Sequence, residues 1–198
     1  RFNKLFTALQ EKTFPDRPEK NVSDTSYRNF AFYEAYFSNF IEGTKFKVAE
    51  ALEIIRTGKP LPARHEDGHD VLGTYHIVSN RTEMSITPKD PAEMLDILKY
   101  RHKLMLSARP DKNPGEFKDR NNMAGNTDFV DVTLVTGTLH KGFEYYNALQ
   151  DPFAKAAYMM FLISEVHPFV DGNGRLARVM MNAELTAKGQ SKIIIPTV

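Results

Sequence analysis

The segment that most constrains this chain is 151–166, DPFAKAAYMMFLISEV, which opens on an aspartate and a first-turn proline and then carries apolar residues on nearly every side of a helix. A helix without a polar face is buried all round. The rest of the chain must therefore wrap it, and whatever follows its C-terminus is held by the core. Within it, Phe153, Met159, Met160 and Phe161 recur at helical spacing and read as core rather than as a cofactor pocket. With 198 residues the chain has room for one compact domain with an appendage, and two independent catalytic domains do not fit.

Helical periodicity continues on both sides. Phe30, Tyr33, Phe37 and Ile41 predict a helix over 27–41 that Glu42-Gly43 stops. Thr44 is the expected N-cap of the next, which carries Val48, Ala51, Leu52 and Ile55 to Gly58 and Pro60. Residues 61–70, LPARHEDGHD, read as a loop, followed by a short helix with Val71, Leu72, Tyr75 and Val78 on one face. Thr87-Pro88 is the expected start of a helix running through Met94, Leu98 and Met105. Residues 110–128 hold two prolines, two glycines and four asparagines and predict a surface loop or exposed hairpin, long enough to serve as a lid. Helices return at 132–148 and 151–166, and a last one at 176–188 is closed by Gly189 before the terminal KIIIPTV.

Composition narrows the function classes. Lys and Arg number 26 against 25 Asp and Glu, a net +1 without a basic run, so there is no electrostatic footprint for nucleic acid. No apolar stretch reaches the ~18 residues of a membrane span, and Arg1-Phe2-Asn3-Lys4 opens no signal-peptide core, as if trimmed. With no cysteine, a disulfide scaffold, a thiolate zinc site and a cysteine nucleophile are excluded, and the default setting is the cytoplasm.

The chemistry is concentrated in 167–178, HPFVDGNGRLAR. Gly172-Asn173-Gly174 is a turn entering a helix, so backbone N–H groups and the positive end of the helix dipole converge there on a phosphate-sized site. Arg175 and Arg178, three apart, can project from one face and take phosphate oxygens by forked hydrogen bonds. Asp171 is a hard carboxylate beside that site, as Mg²⁺ bound to a polyphosphate requires. His167 titrates near neutrality and can serve as a general base, while Pro168 and Phe169 would anchor the loop to the core. Singly, a glycine turn or a helix-end histidine is ordinary; all of them within twelve residues are not. No Walker A loop is present.

HPFVDGNGRLAR resembles the Fic-domain signature H-x-F-x-[DE]-G-N-G-R-x-x-R at every position. The resemblance implies a mostly α, Fic-type helical domain with a small β-hairpin flap, and transfer of AMP from ATP to a protein hydroxyl with release of pyrophosphate. It makes His167 the base, Asp171 the Mg²⁺ ligand, Gly172, Asn173, Gly174 and Arg175 the anion hole, and Arg178 the γ-phosphate ligand. The intact G-N-G-R turn favours nucleotidyl over phosphoryl transfer. The resemblance also implies a flap that docks the target by strand addition, from Gly115 to Phe129, with Phe117-Lys118 where many relatives carry an aromatic followed by arginine. Ser38 to Gly43, SNFIEG, resembles the family's inhibitory pattern [ST]-x-x-x-E-[GN]. By that resemblance Glu42 pairs with Arg178 and takes the place of the γ-phosphate, with Ser38 orienting the carboxylate. The implied organisation is an N-terminal helical region, 1–60, with the inhibitory helix, and a catalytic core, 61–198, in one compact domain. ATP and a target protein, this chain itself included, are the expected partners, with no nucleic acid and no membrane.

Two other readings stand beside it. His65-Glu66-Asp67-Gly68-His69 satisfies the H-E-x-x-H pattern of zinc hydrolases, but that chemistry needs both histidines on one helical face, and Asp67-Gly68 is a turn pair. A catalytically silent nucleotide-binding module, shut by Glu42, is the second. His76, His102 and His140 lack a partner pattern and read as surface or internally satisfied residues. Tyr75, Tyr145 and Tyr146 join the hydroxyls open to self-modification.

Overall fold

The structure, a computed structural model, describes residues 1–196; Thr197 and Val198, the end of KIIIPTV, lie outside the described residues. Among the described residues the chain is mostly α, with one small antiparallel hairpin, as expected. At its centre is α8 (Pro152–Val166), capped by Asp151, which accepts from the Ala154 amide at 2.9 Å. Tyr158, Met159, Leu162, Ile163 and Val166 are fully buried. Burial is not complete all round: Phe153, Met160 and Phe161 are half-buried and line an apolar cavity of about 440 Å³ with Met181 and Ile193. α9 (Asn173–Ala187) packs closely on α8 and buries Leu176, Val179, Met180 and Ala183. It starts three residues earlier than the periodicity indicates, because Gly172 supplies a left-handed N-cap at φ +74°.

α7 (Val135–Ala148) packs on α8, and α1 (Phe2–Gln10) lies across both, with Phe2 against Phe161 at 5.6 Å and Phe6 against Tyr145 at 5.0 Å. α2 (Asp24–Ile41) begins at the Ser23 cap, ahead of the expected Tyr27, and contributes Ala31 and Ala35 to the same core. α3 (Val48–Thr57) starts after Lys47, whose amide donates to the Glu50 carboxylate at 2.8 Å. Thr44 does not cap it; its amide bonds the Asn39 carbonyl at 3.1 Å and so closes α2.

The expected loop at 61–70 is overturned: after a 3₁₀ turn at Pro62–Arg64, α4 (His65–Val78) runs straight through Asp67-Gly68. Its first turn carries Glu66 and Asp67, which the helix dipole favours. A side chain at 68 would meet Pro60 Cβ at 2.6 Å, so glycine is what lets the connection fold back so closely. A short α5 (Arg81–Met84) follows, and α6 (Pro91–Met105) is capped by Asp90 rather than by Thr87. In the hairpin, β1 (Met123–Ala124) pairs with β2 (Thr127–Asp128), with Met123 opposite Asp128 and Ala124 opposite Thr127. No helix among the described residues is long and apolar enough to cross a membrane.

Two polar groups are buried between α7 and α9. The Tyr146 hydroxyl donates to Glu184 Oε1 at 2.8 Å, and both residues are almost wholly buried, which withdraws Tyr146 from the candidates for self-modification. Burial pushes the Glu184 carboxyl from 4.5 up to about 7, against the opposing effects of the Tyr146 hydroxyl, Lys155, Arg101 and Lys188. The folded protein thus holds a proton that the unfolded chain releases from pH 4.5 upward. The associated stability is complete below that pH and is lost as pH rises through about 7. Against Glu184→Gln, wild type should lose about 3 kcal/mol of unfolding free energy between acid and mildly alkaline pH. Urea titrations of the two proteins across that range give the difference, and a constant offset would refute the assignment.

Candidate active site

α8 ends at His167, which adopts a left-handed φ of +51° and turns the chain out of the helix. Its Nδ1 lies 3.3 Å from the Ser164 carbonyl. Because a carbonyl only accepts, Nδ1 carries the hydrogen and Nε2 keeps the lone pair. The Phe129 ring stacks on the imidazole at 3.7 Å and 6°. Burial lowers the His167 pKa from its ordinary 6.5, with the positive charge of Lys118 adding to the effect, so the ring is neutral at pH 7.

The following loop is fixed by its one aromatic. Phe169 is fully buried, stacked on His102 at 3.8 Å and 8° and packed against Phe117 at 5.1 Å. Asn173 grips its backbone twice, accepting from the Phe169 amide and donating to the Phe169 carbonyl, each at 2.9 Å. The Asn173 side chain is therefore a staple for the loop. Gly172 could not be another residue, since it combines φ +74° with a Cβ position 2.8 Å from Leu106 Cδ1.

Asp171 stands at the entrance of α9 with its side chain 40% exposed; Oδ1 accepts from the Gly172 amide at 2.6 Å, and Oδ2 has no hydrogen-bond partner among the described residues. One carboxylate next to first-turn amides suits Mg²⁺ when phosphate oxygens and water complete the octahedron. The protein by itself does not enclose an ion: among the described residues no group of three or more His, Asp or Glu could hold one.

Both arginines reach α2, but with different partners and burial. Arg175 turns inward, 3% exposed, with NH1 on Asp70 Oδ2 at 2.7 Å and on Asn39 Oδ1 at 3.2 Å. Asp70 is in turn bound by Arg109 Nε at 2.8 Å. Arg175 thus fastens α9 to α4 and α2, while its Nε has no partner among the described residues and its NH2 lies 4.0 Å from Asp171 Oδ1. Arg178 faces the end of α2, with Nε on Ser38 Oγ at 2.9 Å and NH2 on the Ser38 carbonyl at 2.9 Å and on Glu42 Oε1 at 2.6 Å. Ser38 therefore orients Arg178, not Glu42. A Cβ on Gly174 would fall 2.3 Å from Glu42 Oε1, so this carboxylate rests on the first turn of α9, where the dipole favours an anion.

Gly115, Phe117 and Lys118, expected as a docking edge, face inward at the base of the flap. The Gly115 amide donates to His102 Nδ1 at 2.9 Å, and the Lys118 amide donates to the Pro168 carbonyl at 2.8 Å. The buried Lys118 ammonium reaches Asn122 Oδ1 and the Val130 carbonyl, both at 2.7 Å. Exposed backbone lies further out, at 123–128. His65 and His69 do share a helical face, with rings 4.5 Å apart, but Glu66 is paired with Arg109 at 3.1 Å. Sequence reasoning missed Asn39, Asp70, His102, Asn122 and Phe129, because each is joined to the motif only by tertiary contact, without local spacing to signal it.

Residues 93–185 match the Fic/DOC family. Protein adenylyltransferase Fic of Drosophila persimilis is 26% identical over 170 residues, covering 83% of this chain and 33% of the fly protein. The chain thus spans about a third of the length of the curated relatives it matches. In structure, a Fic domain containing signaling protein from Bacteroides thetaiotaomicron superposes with a TM-score of 0.72 at 19% identity, covering 98% of this chain and 74% of that one. IbpAFic2 in complex with adenylylated Cdc42 gives 0.54 at 20% identity, covering 98% of this chain and 57% of that one. Both structures share the fold.

The ion pair of Arg175 with Asp70 is almost wholly buried, whereas that of Arg178 with Glu42 is partly open to solvent. Removing one member of a buried pair strands the other. Asp70→Ala should therefore cost about 3–5 kcal/mol, and Glu42→Gly less than about 1 kcal/mol. Chemical denaturation measures both, and equal losses would contradict the assigned burial.

Proposed function

We propose that this chain transfers AMP from Mg·ATP to a hydroxyl of a target protein, and that Glu42 holds it inactive. The observation that carries the reading is the juxtaposition of a neutral His167, its Nε2 unprotonated, with an anion-binding helix start on which the Glu42 carboxylate already lies. His167 takes the proton as the hydroxyl oxygen attacks the α-phosphorus. The bond from that phosphorus to the bridging oxygen breaks, and pyrophosphate leaves with its electron pair. The amides of Asn173 and Gly174 at the start of α9 face the phosphate charge that develops in the transition state, while the Gly172 amide holds the Asp171 carboxylate. Mg²⁺, held by Asp171 together with the phosphates, would supply charge neutralisation on the leaving group.

Arg178 is the phosphate ligand this reading leaves for the far end of ATP, once Glu42 is displaced. A carboxylate 2.6 Å from its NH2 occupies the same donors, so nucleotide and Glu42 compete for one guanidinium. The exposed hairpin at 123–128 offers backbone to an extended target segment, and Phe129 at its end touches the base directly. The target is a protein with an accessible side-chain hydroxyl, this chain included. A reducing, cytoplasmic setting accords with the absence of cysteine.

Incorporation of α-labelled ATP into protein, in lysate with Mg²⁺, tests the reading. Glu42→Gly should raise labelling at least tenfold over wild type. His167→Ala in the Glu42→Gly background should lower it by about 10²–10⁴-fold while ATP binding, measured by calorimetry, persists. Binding without labelling in Glu42→Gly would instead identify a silent nucleotide-binding module. Label from the γ-position only would make it a phosphoryl transferase.

A further inference from the structure

We propose that His102 on α6 is a positioning residue that sets the Asp171 backbone and, with it, the Asp171 carboxylate and the Gly172 amide. The inference rests on the AMP-transfer reading of the site and adds a residue 65 positions upstream of His167 that touches neither substrate nor metal. His102 is fully buried, and it is satisfied at both nitrogens. Nε2 lies 3.0 Å from the Asp171 carbonyl, while Nδ1 accepts from the Gly115 amide at 2.9 Å. A carbonyl on one side and an N–H on the other define a single neutral tautomer, with the hydrogen on Nε2.

Through this one ring, three parts of the site meet. Its edge bonds the motif loop at Asp171, its other edge bonds the start of the flap segment at Gly115, and its face carries the anchoring Phe169. Gly172 is within reach too, a Cβ there falling 3.6 Å from His102 Cδ2. An apolar ring would fill the same space without the cost of burying two polar nitrogens. What the imidazole adds is direction: the peptide after Asp171 can face only one way while its carbonyl is bound, and that peptide carries the Gly172 N–H to which Asp171 Oδ1 is bonded.

Two near-isosteric substitutions separate positioning from packing. In His102→Gln the amide N–H reaches the place of Nε2 and keeps the Asp171 bond. In His102→Asn the shorter amide reaches only the place of Nδ1, keeping the Gly115 contact and losing Asp171. Both are made in the Glu42→Gly background, with thermal melting to confirm folding. His102→Asn should speed amide hydrogen exchange at 171–174 at least tenfold, with α8 unchanged. It should also weaken ATP binding at least tenfold with Mg²⁺ and less than threefold with EDTA, and lower kcat for AMP transfer at least tenfold with little change in KM for the target. His102→Gln should stay within threefold of its parent in every measure.

Equal losses in the two variants, or losses in neither, would overturn the proposal. So would faster exchange in His102→Asn without weaker Mg·ATP binding, in a parent that binds ATP. If the Glu42→Gly parent neither binds ATP nor transfers AMP, the functional reading falls. The exchange rates at 171–174 then decide on their own whether His102 holds the loop.

Discussion

The site depends on how the Phe169 ring is held. A six-residue connection between two tightly packed helices has little freedom once its middle residue is immobilised, and here the ring is stacked on His102 while both of its backbone polar groups are bound by Asn173. Those two hydrogen bonds satisfy buried groups that would otherwise cost about 1–3 kcal/mol each. His167, on one side of this anchor, and Asp171, on the other, inherit their places from it. The hairpin segment is tied to the same point through the Lys118 amide and the Asn122 side chain, so His167, Asp171 and that segment share one fastening.

The two arginines of the motif show how identical side chains three residues apart take different tasks from their surroundings. Arg175 meets a buried carboxylate and becomes a strut between helices. Arg178 meets a partly solvated one. A guanidinium committed to a buried partner is costly to free, while one at a water-accessible rim can trade a carboxylate for another anion with little change in solvation.

Much of this was legible from local pattern. The all-apolar helix, the anchoring Phe169 and the DGNG turn follow from residue type and spacing, and the approach of Glu42 to Arg178 follows from the resemblance of SNFIEG to the inhibitory pattern. Where the reading failed, tertiary contact overrode local chemistry. Asp67-Gly68 is a turn signal in isolation, yet with Pro60 packed against Gly68 and Arg64 and Arg109 on the carboxylates it sits inside α4. The Asp70 partner of Arg175 is 105 positions away, beyond the reach of local pattern. His102 carried no signal at all, since both of its hydrogen bonds go to backbone, which every residue possesses.

The two ends of the described chain are stitched together: Glu19 donates its amide to the Gly189 carbonyl, Ser191 donates to Arg17, and Pro18 bridges to Gln190. Closing a loop of that size is entropically among the dearest contacts a chain makes, whereas α8, the motif loop and α9 are consecutive and can assemble locally. During synthesis, the backbone bonds of residues 17–19 wait until 189–191 have been made. The helical centre with its motif can therefore form before the N-terminal arm docks, and the arm's arrival closes the fold.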